Sequence, residues 1–362
     1  MYIDKRIEWI DVAKGIGILF IILGHVFNTG FLRKWIFSFH VPFFFVVAGF
    51  TFSINRGIVD FVIRKAKTLW IPYLFWSSFS IVLYSALVVI IPSFGEPLDF
   101  MNSFFVVLYG NSRPDIMKWN TPLWFLPCLF GTNICVYFIE LAARNIGGSN
   151  KNFRVIIVAL SWGLGIIIEK YLNMRLPLQM EEGVFMIGFV ESGILFYNSE
   201  FRKRVERFAT PFLALMLFVL LIIGCWISSI NGFAEVRIFS YGKVSILFVL
   251  TSLLLGSACI LLSFIFENSY VLQRIGKSSL TILVLHKFPV VFFQKICPVT
   301  KTLLSKPEEI TGILCSVMVT AVIAIICLAA DSIISNVCPI IIGNRRNIEN
   351  KKVNYVKREL GR

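Results

Sequence analysis

The feature that most constrains this chain is an alternation. Apolar runs of about twenty residues follow one another with only short polar segments between them, and a helix of that length crosses a hydrocarbon core about 30 Å thick. The runs lie near Val12–Phe31, Phe37–Ile54, Leu69–Pro92, Leu123–Ala142, Val155–Leu172, Val184–Tyr197, Pro211–Ile230, Val244–Phe266, Leu280–Cys297 and Ile310–Ile334. Composition agrees, with 57% hydrophobic and 15% charged residues, against roughly 45–50% and 25% in soluble domains. The 36 phenylalanines suit lipid-facing and helix-packing surfaces, not the alternating faces of a β-barrel strand. The expected fold is therefore an all-α integral membrane protein, a bundle of about ten transmembrane helices.

A net charge of +14 raises nucleic acid as a partner, but the basic residues are scattered through short loops and the tail, which excludes a nucleic-acid face and points to anionic lipid. Lys and Arg concentrate, roughly two to one, in the alternate segments 1–14, 56–67, 144–154, 202–207, 274–277 and 344–362, so ten spans with both termini cytoplasmic fit the positive-inside rule. The sixth span is short and carries Glu191. Dropping it would put the basic segment 200–207 outside, so it is kept. Residues 1–343 then form one polytopic domain, and 344–362 a basic cytoplasmic tail.

No small-residue cleavage site follows the first run, so it reads as an uncleaved span. The eight cysteines include no Cys-x-x-Cys pair and read as small packing residues. The loop Ser93–Thr121 reads as a connector, with an acceptor entrance as the other reading. No internal repeat of the transporter kind is visible.

Ionisable groups inside spans are costly and face bundle interiors or cavities. All three histidines, His25, His40 and His286, fall within or at the outer edge of spans. A lone intramembrane His is often an interhelical hydrogen-bonding group, whereas three together favour a site. Lys14 and His25 are eleven residues apart, so they share a helix face about 16 Å apart along the axis. Lys14 near the cytoplasmic end would bind a phosphorylated donor, and His25 would serve as general base on an acceptor hydroxyl. The rival reading makes Lys14 a positive-inside marker paired with Asp11. Arg64 and Lys67, three residues apart at the start of the third span, suit a phosphate clamp or a topology-setting cluster equally. Pro42 frees a backbone carbonyl near His40. Ser279 stands nearly two turns from His286, about 10 Å, too far for direct activation, so Ser278 or Ser279 is expected to cap that helix. No metal motif is present.

In order along the chain, Asp11-Val-Ala-Lys14-Gly15 leading to Leu23-Gly24-His25, Phe39-His40-Val-Pro42-Phe-Phe-Phe with Ala48-Gly49-Phe50, Arg64–Tyr73, Leu123-Trp124-Phe125-Leu126-Pro127 and Ile275–His286 resemble the membrane-bound acyltransferase 3 family. That family includes O-antigen and exopolysaccharide O-acetyltransferases and fucose O-acetylase-like proteins. The resemblance implies an O-acyltransferase of the bacterial cytoplasmic (inner) membrane that moves an acetyl group from acetyl-CoA, or another acyl-CoA, to a hydroxyl of a cell-surface glycan or its lipid-linked precursor. His25 matches the family's essential histidine, Lys14 stands where Arg is common, and Arg64 with Lys67 matches an Arg-x-x-Arg motif whose second Arg is replaced. The expected site has His25, assisted by His40 or His286, deprotonating an acceptor hydroxyl or passing the acyl group on, Lys14, Arg64 and Lys67 on the donor phosphates, and Trp124 and Phe125 along the apolar part of the path, core packing being the other reading of these two. Only a short tail follows the last span, so any partner acting outside would be a separate protein. A proton-coupled transporter or lipid-linked glycan flippase is the alternative.

Overall fold

A computed structural model of the chain describes residues 7–55, 57–111, 120–145, 151–171 and 175–343. Most of the polar stretch of the Ser93–Thr121 loop and the tail 344–362 lie outside the described residues. Among the described residues there is no β-strand, and the one strand-like contact is an isolated bridge between Glu235 and Ser240.

The chain opens with α1 (Glu8–Val26), a short α2 (Phe31–Phe37) and α3 (His40–Phe50). The third span is α4 (Ile58–Lys65), a π-helical turn at Ala66–Trp70 and α5 (Ile71–Ile90), followed by a short α6 (Phe100–Tyr109). Then come α7 (Phe125–Asn145), α8 (Lys151–Tyr171), α9 (Met180–Tyr197), the short α10 (Glu200–Val205), α11 (Thr210–Asn231) and α12 (Ser245–Ile265). The last third holds α13 (Tyr270–Lys277), α14 (Ser279–Leu285), α15 (Lys287–Val291), a second π-helical turn at Phe292–Ile296, α16 (Pro298–Leu304) and α17 (Ile310–Val337). We call the face where α1 begins proximal and the face where it ends distal.

Among the described residues, eight of the ten spans expected from the sequence are long and apolar enough to cross a membrane, and α14 with α15 and its π turn make a ninth, bent by 41°. The sequence suggested one straight span at Leu280–Cys297. Pro289 accounts for the difference, because it has no N–H to offer the carbonyl four residues back, at Leu285, and its ring crowds that carbonyl. The bend falls at His286.

The sixth span is a different object. Helix α9 carries Glu181, Glu182 and Glu191, all buried, and packs against α3, α7 and α8. Its 18 residues cover about 27 Å, and with three acids it is not among the helices apolar enough to cross a membrane, so the tenth span expected from the sequence is not matched by composition. It tolerates the acids because protein, not lipid, surrounds it. Arg154 of α8 holds Glu140 of α7 through two bonds of 2.7 and 2.8 Å, and Glu191 lies 4.0 Å from the same guanidinium. By contrast α8 and α11 turn Ile156, Leu160, Leu164, Ile167, Leu215, Phe218 and Ile222 outward, as lipid-facing helices do.

Helix α1 is the axis of the bundle and touches α3, α12, α13, α14, α15 and α17. Its closest neighbour is α13, where backbones nearly meet: a Cβ on Gly276 would stand 1.8 Å from the Asp11 carbonyl oxygen, and one on Gly15 would stand 2.3 Å from that of Leu272. Only glycine permits that approach. All eight cysteines are free thiols, buried or half-buried among the helices.

Candidate active site

Helix α1 ends at Val26, which leaves its last carbonyls without helical partners. The side chain of Gln294, on the distal π turn, supplies the donor. Its Nε2 gives hydrogen bonds to the carbonyls of His25 at 2.8 Å and Val26 at 2.9 Å. This amide fixes the last turn of α1, and with it the imidazole of His25, against the end of the bent span.

Pro42 explains the placement of His40. Lying in the first turn of α3, it cannot donate to Ser38, and the freed Ser38 carbonyl accepts from Ser252 Oγ of α12 at 2.7 Å. The chain breaks there, with Phe39 off helical geometry, and α3 restarts at His40. His40 Nδ1 donates to the Ile36 carbonyl at 2.8 Å, and His286 Nδ1 donates to Ile282 at 2.9 Å. A proton held on Nδ1 leaves a lone pair on Nε2. In His286 that Nε2 is buried with no hydrogen-bond partner among the described residues.

The three rings converge. His25 lies 5.3 Å from His286 and 5.9 Å from Phe37, and Phe37 lies 4.8 Å from His40, all between ring centroids. His25, His40 and Trp124 line one cavity of about 30 Å³, shared with Phe37, Val41, Thr121, Glu235 and Arg237. His286 touches that chamber through His25.

A second, larger cavity of about 260 Å³ opens toward the proximal face and is lined by Lys14, Lys65, Thr68 and Asn133 at one end. Ile18, Ile21, Phe44, Phe125, Leu126 and Leu283 line the rest. The two cavities stand in series along one face of α1, because Ile21 belongs to the first and His25 to the second, one turn or about 6 Å further on. Trp124 and Phe125 straddle the division, the first on the histidine side and the second on the proximal side. Phe125 packs on Phe45 at 5.2 Å, which holds the partition in place.

The cations of the third span do not all arrive where the sequence suggested. Lys65, not Arg64 or Lys67, lines the proximal cavity, and its inward face continues through Thr68 and Leu69. Lys65 Nζ donates to Asn133 Oδ1 at 2.8 Å and lies 5.8 and 5.5 Å from the ring centroids of Phe52 and Phe61. Lys67 is exposed and Arg64 half-buried beside it. The π turn at Ala66–Trp70 is the local device that lets the helix run on to Pro72. Ser278 stands at the N-cap of α14, as the sequence suggested, but makes no side-chain cap bond: its Oγ donates to Asp331 of α17 at 2.8 Å, Thr281 Oγ1 donates to the same carboxylate at 2.5 Å, and Ser279 lines the proximal cavity.

Sequence reasoning also missed Lys287, which directly follows His286, and Arg33, whose guanidinium lies 4.4 Å from the ring centroids of both Phe37 and Phe233. Adjacency to His286 was the one signal for the lysine. Among the described residues no group of three or more His, Cys, Asp or Glu side chains is placed to hold a metal ion.

Comparison with known families bears directly on this arrangement. The acyltransferase domain of the acyltransferase 3 family matches residues 7–329, from the start of α1 to near the end of α17. The chain belongs to that family. Acyltransferase 3 membership makes acyl transfer the chemistry of this multi-pass membrane protein, and the matched segment contains both cavities and all three histidines. No curated protein and no solved structure matches the chain.

Proposed function

We propose that this acyltransferase 3 protein moves an acyl group, acetyl by preference, from a cytoplasmic acyl-CoA to a hydroxyl of a cell-surface glycan or its lipid-linked precursor. The proximal face is then cytoplasmic, as are both termini, in the inner membrane of a bacterium. The observation that carries this reading is the pair of cavities in series, one with cations at its mouth and an apolar throat, the next with histidines.

In this reading Lys14 and Lys65 hold the donor phosphates, with Arg64 and Lys67 adding charge at the mouth. The long arm of the donor lies along Ile18, Ile21 and Phe125, which brings the thioester to the partition between Phe125 and Trp124. His25 takes the proton of the acceptor hydroxyl as its oxygen attacks the thioester carbon. The C–S bond breaks, and the imidazolium returns the proton to the departing thiolate. His40 and His286, each anchored through Nδ1–H to its own helix, set the position and field of His25. A transporter has no need of a thioester-sized throat that stops at histidines, and family membership favours the enzyme.

The deciding measurement is transfer of labelled acetyl-CoA by purified protein in detergent. His25→Ala should lower transfer by about 10²–10⁴-fold, the range that a positioned acid–base group contributes, while eluting as folded protein on size exclusion. A folded His25→Ala protein with full activity would falsify the assignment.

A further inference from the structure

The distal side of the histidine chamber carries more positive charge than the fold needs. Arg237 lines the chamber on the small closed turn Glu235–Ser240, where Nε and Nη2 are held by Glu235 at 3.2 and 2.9 Å. Its Nη1 is buried and has no hydrogen-bond partner among the described residues. Lys287, half-buried at the bend beside His286, makes no ion pair or hydrogen bond among the described residues. It lies within electrostatic range of His25, Arg33, Arg237 and Lys295. Arg33 is pinned between Phe37 and Phe233, one ring away from His25 and His40. Against Arg33, Arg237 and Lys287 stands one carboxylate, Glu235, already engaged by Arg237.

Among the described residues the Arg237 Nη1 and the Lys287 ammonium are left without a partner in a partly desolvated site, a cost that an anion bound there would offset. Membrane topology does not explain them either, because the distal loops belong to the set poorer in Lys and Arg, where the positive-inside rule gives no reason to gather them. An acyl-CoA on the proximal side would meet Lys14 and Lys65, and the thioester it presents to the chamber is neutral. What remains is the acceptor.

We infer that the acceptor is an anionic saccharide, with a carboxylate or phosphate close to the hydroxyl that is acylated, held by Arg237 Nη1, Lys287 and Arg33. The inference rests on the acyl-transfer reading for the word acceptor, but the binding itself can be tested apart from it. A sugar hydroxyl one or two bonds from such an anchor would be delivered to His25 with the other hydroxyls turned away, so the anion sets which position is modified.

The test is saturation-transfer NMR on the purified full chain in detergent, with glucuronic acid, glucose 1-phosphate and glucose as probes. Saturable binding of one or both anionic sugars, with glucose at least tenfold weaker, is the expected result. Binding of glucuronic acid alone identifies a carboxylated sugar, and binding of glucose 1-phosphate alone identifies a phosphorylated or lipid-phosphate-linked one. Lys287→Gln should weaken the anion by about tenfold or more, the size of a charge-assisted contact. Arg237→Gln should do the same, with Lys287→Gln as the cleaner variant if the 235–240 turn is disturbed. Equal binding of glucose, no binding of either anion, or binding that ignores both substitutions overturns the inference. Acetyl-CoA turnover is followed separately, so a protein that binds anionic sugars yet never turns over the donor refutes the acyl-transfer reading and not the anion site.

Discussion

The two cavities along α1 differ in kind. The proximal one is roomy, apolar over most of its wall, and carries Lys14 and Lys65 at one end. The distal one is small, with rings packed in and beside it at 4.8 to 5.9 Å, and the imidazoles of His40 in its wall and His286 behind His25 are tethered through Nδ1 to backbone carbonyls. A space that must admit and release a long, flexible molecule needs volume and a few point charges. Groups that must meet reacting atoms need fixed geometry, because misplacement by about 1 Å can cost a hundredfold in rate. The difference teaches where binding should separate from chemistry, and substitutions on either side of the Phe125–Trp124 partition can break that division.

The largest effect after His25 itself should come from His286. His286→Ala is expected to lower kcat for transfer about a hundredfold while KM for acetyl-CoA stays within twofold, as befits a residue acting on the chemistry rather than on donor binding. Steady-state kinetics with labelled donor would decide it, and a KM change with kcat preserved would erase the distinction between the cavities. On the proximal side the split should invert. Lys65→Met is expected to raise KM for acetyl-CoA by about tenfold with kcat nearly kept, since a charge-assisted contact to phosphate is worth about 1.5–3 kcal/mol. The smallest effects should belong to Arg64→Gln and Lys67→Gln, each below about threefold in KM, because these side chains stand beside the cavity and their charges act through screening solvent. A larger effect for Lys67 than for Lys65 would mean that the donor approaches along the exposed flank of α4.

How much of this the sequence disclosed depends on the range of the physics involved. Span positions are local, because length and apolarity suffice for every run but the acid-bearing sixth, and elsewhere the structure departs from them mainly at ends and bends. Pro289 stood in plain view within the ninth run, yet its effect on His286 appears only when the freed carbonyl and the π turn are seen together. The acids of α9 were legible as an oddity, whereas their shelter among α3, α7 and α8 was not, since burial by neighbouring helices leaves no periodic trace in the helix itself.

The site divides the same way. The single-face relation of Lys14 and His25 follows from helix geometry alone, and the structure puts each in one of two cavities in line. The choice of Lys65 over its neighbours depends on how α4 rotates against α7, where Asn133 waits, and no spacing rule contains that angle. Arg33, Arg237 and Lys287 come from three distant stretches of chain, so only folding brings them around the chamber.

Gln294 ties together parts that the sequence sets more than 250 residues apart, its two bonds reaching across 269 and 268 positions. The outermost carbonyls of α1 and the π turn beyond the bend therefore form one lever. Any swing of the last third of that broken span must either carry the His25 ring with it or tear the amide from both oxygens at once, so the imidazole's aim is set by the far end of the chain as much as by the helix that bears it.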